Sequence, residues 1–360
     1  MRIAFLLPGF STREIGGYRT VYIYANYLVK HGHDVTIIYP HTMAWPYRKL
    51  TNTIFNFLTY IKRSIMVKHN VSWFPLDAKV KEKYVWNLTD WCIGRYDIII
   101  ATAYHTSLYL EHYKLSDHQL KVYYIQDFEN WFGISEDEVY RTYQYDMLKI
   151  VTVKWLQDKV KKVGQQAKII RYGLEHNDFY VENPPENRSP NEIMFYWHEE
   201  PRKGCMDTLA ALEQIHTQYP DIHVVAFGFF PLPSFPQYIT YYKSPSREVL
   251  RRLYNNASIF VGASVVEGFG LTIGEAMCCG CAIACTDNDG FKEMVVDRRN
   301  GLLSPIHDSD ALATNICQLM NDSSLRIRLS HNAEEDMKQF SWSHSCDEFM
   351  DYLEKSYVVL

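Results

Sequence analysis

Short apolar runs alternate with amphipathic stretches along most of this chain. Ile3 to Leu7 is apolar throughout and reads as a buried strand. A polar loop ending in Gly16-Gly17 follows, and Tyr18 to Lys30 then carries Val21, Tyr24, Ala25 and Leu28 on one helical face. His31-Gly32 stops that helix, and Asp34 to Tyr39 is a second strand. Asp97 to Ala101, Lys121 to Ile125, Lys149 to Val153 and Ala167 to Arg171 read as further strands, the last two separated by a basic helix, Trp155 to Val163. Pro184, Pro185 and Pro190 mark Val181 to Pro190 as a linker, after which the alternation restarts. Strands are expected at Ile193 to Trp197, His223 to Phe227, Ser258 to Val261 and Cys281 to Cys285, and helices at Met206 to His216, Ser246 to Asn256 and Leu271 to Cys279, with Gly280 as a left-handed cap. The end is helical: Asp308 to Met320, Ser323 to Lys338 and Ser345 to Tyr357. Strand–helix alternation of this kind predicts α/β architecture with parallel sheets.

At 360 residues the chain has room for two ordinary domains, and 47% hydrophobic with 22% charged residues is the balance of a soluble globular enzyme. A net charge of -5 argues against general nucleic-acid binding. Eight cysteines sit mostly in apolar runs such as Cys278 to Cys285, without zinc-ligand spacing, and read as reduced core residues. The apolar start, Met1 to Gly9, is too short for a signal peptide, and no run has transmembrane length, so a cytoplasmic protein is expected. Gly-x-Gly-x-x-Gly is absent, which weighs against a dinucleotide-dependent dehydrogenase.

The stretch Glu267 to Gly280 carries the chemistry. It connects two predicted strands by a loop and a helix, and Gly268 and Gly270 let backbone approach a ligand closely. Amides around Phe269, Gly270, Leu271 and Thr272 would point at an anion from the helix start. Glu267 in the loop and Glu275 one turn into the helix supply acceptors for sugar hydroxyls. An anion flanked by hydroxyl-bearing rings describes a sugar nucleotide.

Glu-Gly-Phe-Gly-Leu followed by Glu-Ala-Met-x-Cys-Gly resembles the signature of family 4 retaining glycosyltransferases. The resemblance implies a GT-B fold, two Rossmann-like domains facing across a cleft with the last helix crossing back to the first. The expected bounds are an acceptor-side domain at 1–180, a linker at 181–190, a nucleotide-sugar domain at 191–340 and a crossover helix at 341–360. It implies that Glu267 contacts the donor sugar, that Glu275 contacts the ribose, and that Arg202 and Lys203 before Gly204 hold the donor diphosphate. Cations there attract the charge that grows on the leaving diphosphate in the transition state. Gly16-Gly17 matches the family's phosphate-side turn, and would serve equally as a plain helix-start turn. Where many relatives have a histidine, this chain has Gln126-Asp127-Phe128-Glu129, a form similar to a rhamnosyltransferase-like branch. Asp127 is then a candidate acceptor contact and His105 a candidate donor contact, with capping or loop stabilisation an equal reading of both.

The implied substrates are a dTDP- or UDP-linked sugar and a glycan or lipid-linked glycan acceptor of surface polysaccharide synthesis. Asp287-Asn288-Asp289 looks like a metal-binding Asp-x-Asp, but its place after a strand, before Gly290 and Glu293, reads as a turn, and no obligatory metal is expected. Residues 46–70 hold five basic and no acidic residues, with Leu50, Ile54, Phe57, Leu58, Ile61 and Ile65 at helical spacing; either a helix on an anionic membrane surface or a core-facing helix with a solvated basic side fits. Two alternatives to a transferase remain: a sugar-nucleotide epimerase of the same fold, and a non-catalytic glycan-binding protein.

Overall fold

The computed structural model describes residues 1–42, 60–61, 71–114, 118–130, 133–231 and 234–358. The basic amphipathic stretch 46–70 lies outside the described residues, apart from Tyr60 and Ile61. The chain divides into two compact units, Met1–Tyr172 with Ser343–Leu360, and Gly173–Trp342.

The first unit is a seven-stranded sheet of β1 (Arg2–Leu6), β2 (Asp34–Pro40), β3 (Lys81–Val85), β4 (Ile98–Ala101), β5 (Leu120–Ile125), β6 (Leu148–Val151) and β7 (Lys168–Ile169). Their order is β3-β2-β1-β4-β5-β6-β7, and every pairing is parallel. The central strands are apolar at successive positions because both faces of a parallel sheet are covered; Ile98, Ile99 and Ile100 are all fully buried. The pattern gave no sign of β3, whose Lys-Glu-Lys start is charged. It is an edge strand, where charges are tolerated and deter further pairing. Lys81 reaches Asp34 (2.7 Å), and Glu82 accepts from the Tyr39 hydroxyl (3.0 Å).

The helix Trp342–Val358 has its body, from Ser343 onward, in this first unit. Phe349 is fully buried and stacks on Tyr24, ring centroids 4.1 Å apart. The Tyr24 hydroxyl lies 2.9 Å from Ser345 Oγ, which itself donates to the Arg171 carbonyl (2.6 Å).

The second unit has six strands, β8 (Glu192–Tyr196), β9 (His223–Gly228), β10 (Ile239–Lys243), β11 (Ile259–Gly262), β12 (Ala282–Thr286) and β13 (Leu302–Ser304). The order is β10-β9-β8-β11-β12-β13, again wholly parallel. Residues 181–190 fall in this unit. Pro185–Asn187 form a 3-10 turn, and the buried Arg188 donates to the carbonyls of Asn183, Ala257 and Cys279 (2.9, 2.9 and 2.6 Å). A buried guanidinium saturated by carbonyls fastens this proline-rich segment to the body of the unit.

Of the two readings of Gly16-Gly17, the structure shows the helix start, and it puts His105 on a helix as well. Gly16 and Gly17 open the helix Gly16–Lys30, and His105 lies in the first turn of Tyr104–His112.

Candidate active site

In an open parallel sheet, ligands bind beyond the carboxyl ends of the strands, where the strand order reverses. In the second unit that point lies between β8 and β11, and the two loops leaving those strands hold Arg202, Lys203 and Glu267. Pro201–Lys203 form a 3-10 turn, and Gly204 after them is left-handed (φ +62). A Cβ at Gly204 would stand 1.8 Å from the Ala263 carbonyl oxygen, so only glycine lets the two loops come this close. The Val265 amide then donates to the Arg202 carbonyl (2.8 Å).

This approach sets Lys203 against Glu267. The ammonium lies 2.9 Å from both carboxylate oxygens, and the side chains are only 17% and 15% exposed, so water screens the pair weakly. Ser264 Oγ donates to the same carboxylate at 2.7 Å. Arg202 pairs with Glu200. Tyr196, Lys203, Thr208, Ser264, Glu267 and Thr272 are among the residues lining a small cavity here. Burial, and then the Glu267 charge, raise the Tyr196 hydroxyl above its ordinary pKa. Burial first, and Lys203 next, lower that of His198, whose Nδ1 accepts from the Glu200 amide (3.0 Å).

The helix Leu271–Cys278 starts from Gly270, which is left-handed (φ +91). Its hydrogen-bond ladder begins with the Ile273 and Gly274 amides, both to the Gly270 carbonyl, which leaves the Leu271 and Thr272 amides ahead of the ladder. Glu275 accepts from the Tyr254 hydroxyl at 3.3 Å. The Phe269 ring is buried and meets Phe340 edge-on, so its side chain packs the motif from behind. Gly280 is left-handed (φ +76).

The other candidates lie on the first unit, at the corresponding ends of β1, β4 and β5. A Cβ at Gly17 would stand 3.2 Å from Gln126 Oε1, which accepts from the Tyr172 hydroxyl (3.1 Å). His105 is buried, and its pKa is lowered by that burial. Asp127 accepts from the adjacent Phe128 amide at 2.8 Å. Glu129 accepts from the Tyr104 amide at the start of its helix (3.1 Å). Burial, opposed by that amide and assisted by Asp127, pushes the Glu129 carboxyl up to about 8. Asp287 and Asp289 both face Lys292, at 2.9 and 3.2 Å. Among the described residues no group of three or more His, Cys, Asp or Glu is placed to hold a metal ion.

Sequence reasoning did not single out Ser264, Tyr254, His198 or Glu129. Ser264 had one available signal, its place three residues before Glu267; Glu129 stood within the quoted Gln-Asp-x-Glu run without a role.

Two parallel Rossmann-like units of this kind define the GT-B fold. The sucrose-phosphate synthase of Thermosynechococcus elongatus superposes over 100% of both chains with a TM-score of 0.76 at 16% identity. Anabaena HepE in complex with UDP-glucose covers 99% of this chain and 100% of its own, with a TM-score of 0.72 at 16% identity. Residues 177–336, most of the second unit, match the family described as Glycosyl transferases group 1. A phosphatidyl-myo-inositol mannosyltransferase of Mycolicibacterium smegmatis is 25% identical over 197 residues, 51% of each protein. The O-antigen chain mannosyltransferase B of Escherichia coli is 39% identical over 97 residues, 27% of this chain and 25% of the relative. The matched segments thus span about half of the first relative and about a quarter of the second. No described helix is long and apolar enough to cross a membrane.

Proposed function

We propose that this chain transfers a hexosyl group from a nucleotide-diphosphate sugar to a hydroxyl of a glycan or lipid-linked glycan, with retention at the anomeric carbon. The observation that carries the proposal is the Lys203–Glu267 pair beside Arg202, set where the strand order reverses in the second unit. Lys203, Glu267 and Thr272, at the start of the following helix, line one cavity there.

In this reading Lys203 and Arg202 hold the diphosphate, with the Leu271 and Thr272 amides adding partial positive charge. Glu267 accepts from hydroxyls of the donor sugar, and Glu275, steadied by Tyr254, accepts from the ribose. The bond from C1 to the diphosphate oxygen breaks as the bond from C1 to the acceptor oxygen forms on the same face. The acceptor proton passes to the departing diphosphate oxygen, so no separate protein base is needed. Both cations attract the developing dianion more strongly than the ground state, which is where rate is gained. Gly16, Gly17, His105 and Asp127 enter as phosphate-side and acceptor-side groups on the resemblance alone.

The named relatives, two mannosyltransferases, and a fold neighbour that binds UDP-glucose support a hexose donor. The Gln126-to-Glu129 run favours rhamnose on dTDP as the first donor to try. The test is calorimetry against UDP, dTDP and their hexose conjugates, followed by product analysis with a polyprenyl-linked glycan panel. Tight, sugar-dependent binding that Glu267→Ala abolishes supports the reading. Absence of nucleotide binding, or undiminished transfer by Glu267→Ala, overturns it.

A further inference from the structure

The Asp-x-Asp lookalike has a structural task that its two acids do not perform. Along Thr286 to Gly290 the residues alternate. Asp287 and Asp289 point outward to Lys292, 51% and 68% exposed, while Thr286 and Asn288 turn inward, 2% and 3% exposed. The inward residues converge on one atom, the Ser264 carbonyl oxygen. Thr286 Oγ1 donates to it at 2.6 Å and Asn288 Nδ2 at 2.9 Å. Asn288 Oδ1 accepts from the Phe291 amide (3.0 Å), so each buried polar atom has a partner. Gly290 completes the contact from the other side, since a Cβ there would lie 2.4 Å from the Glu267 carbonyl oxygen.

The loop after β12 therefore clamps the turn from Ser264 to Glu267 at both ends. The reason lies in the carboxylate. Among the described residues, Lys203 and Ser264 donate to Glu267. A diphosphate competes for the lysine and, with its greater charge, draws the ammonium toward itself. Ser264 is a neutral donor on the same turn as Glu267, and its hydroxyl lies closer to that carboxylate (2.7 Å) than to its other acceptor, the Lys203 carbonyl (3.4 Å).

We propose that Ser264, clamped by Thr286 and Asn288, is a positioning residue that keeps the Glu267 carboxylate aimed at the donor sugar once Lys203 turns to the diphosphate. The inference rests on Glu267 being a sugar contact. Asn288, the middle residue of the lookalike, thereby serves sugar recognition through hydrogen bonding.

The experiment measures affinities of wild type, Ser264→Ala and Ser264→Thr for UDP, UDP-glucose, dTDP and dTDP-rhamnose by calorimetry, alongside thermal melting. For Ser264→Ala, affinity for the free nucleotide stays within about twofold, while affinity for the productive sugar nucleotide falls about tenfold, equivalent to about 1.4 kcal/mol. Ser264→Thr, which keeps the hydroxyl, recovers most of the loss. Thr286→Val, which removes one of the two clamping donors without emptying the site, gives a smaller loss of the same kind. In a Glu267→Ala background, Ser264→Ala adds nothing. Equal loss for nucleotide and sugar nucleotide, or no loss, overturns the positioning role. If the wild type does not distinguish the sugar nucleotide from the bare nucleotide, Glu267 is not a sugar contact, and the broader functional reading fails with it.

Discussion

Lys203 and Glu267, 64 residues apart in the chain, meet through an ammonium equidistant from both carboxylate oxygens at 2.9 Å. The sequence placed the first with the diphosphate and the second with the sugar. The structure adds that they pair with one another, and under the proposed function a donor would replace the partner of each. On that proposal, an incoming phosphate would take over the lysine and an incoming hydroxyl the lone pairs the lysine leaves.

Removing Lys203 should therefore weaken the donor without unfolding the protein. Lys203→Ala is expected to reduce nucleotide-sugar affinity by roughly 10- to 100-fold, the range of a charge-assisted hydrogen bond of about 1.5–3 kcal/mol. The accompanying stability loss should be about 1–3 kcal/mol, because the Glu267 carboxylate is only 15% exposed and keeps Ser264 as a donor. Calorimetry and chemical denaturation measure the two quantities separately.

Gly204→Ala should fail differently. The new methyl would stand 1.8 Å from the Ala263 carbonyl at a left-handed backbone position, so the two loops must part. A stability loss of roughly 2 kcal/mol or more is expected from strain and clash together. Loss of nucleotide affinity should accompany it, since Lys203 and Glu267 depend on that approach. Retained affinity at wild-type melting temperature would contradict the loop packing.

Glu129 gives the molecule a pH-dependent stability. Its carboxyl is raised to about 8 from an ordinary 4.5, chiefly by burial. The folded state then holds the proton more tightly than the unfolded state. The contribution is complete below about pH 4.5 and is progressively lost as pH rises toward 8. Glu129→Gln, which keeps the shape but cannot ionise, should melt at increasingly higher temperature than wild type as pH climbs through that window. Parallel melting curves for the two proteins across the window would rule this out.

Asp287 and Asp289 should prove dispensable for donor binding. Each faces Lys292 on the outer side of its turn. Asp287→Asn with Asp289→Asn is expected to leave nucleotide-sugar affinity within about twofold, and chelation by EDTA to leave turnover unchanged. A dependence on added Mn²⁺ or Mg²⁺ that the double variant abolishes would assign them a metal after all.

Phe349 reports on the last helix. It is fully buried against Tyr24 and Phe5, and Phe349→Ala should cost about 3–5 kcal/mol, the usual range for emptying a buried phenyl site. Urea unfolding monitored on the first unit measures it.

The apolar strands were legible because a parallel sheet buries both faces and leaves an unbroken hydrophobic run, as at Ile98 to Ile100. Edge strands β3 and β10 were not, since one flank of an edge faces water and admits residues such as Lys81, Glu82 and Lys243. The residues of the second unit's site could be picked out, because Glu267, Glu275, Arg202 and Lys203 lie in composite local motifs. Their pairing could not, because it depends on two loops brought together by a glycine that local sequence does not connect to Ala263. Arg188 shows the same limit. In the chain it is a charged residue among prolines, and only the assembled second unit supplies the carbonyls that bury it.

The first unit has its strands before Gly173 yet keeps a place in its interior for Phe349, which follows the second unit in the chain. On the ribosome the order of completion is therefore inverted. The intervening unit, contiguous from Gly173 to Trp342, has all its strands before the opening unit receives its final helix. Until then Tyr24 and Phe5 lack the ring on which they pack in the folded chain.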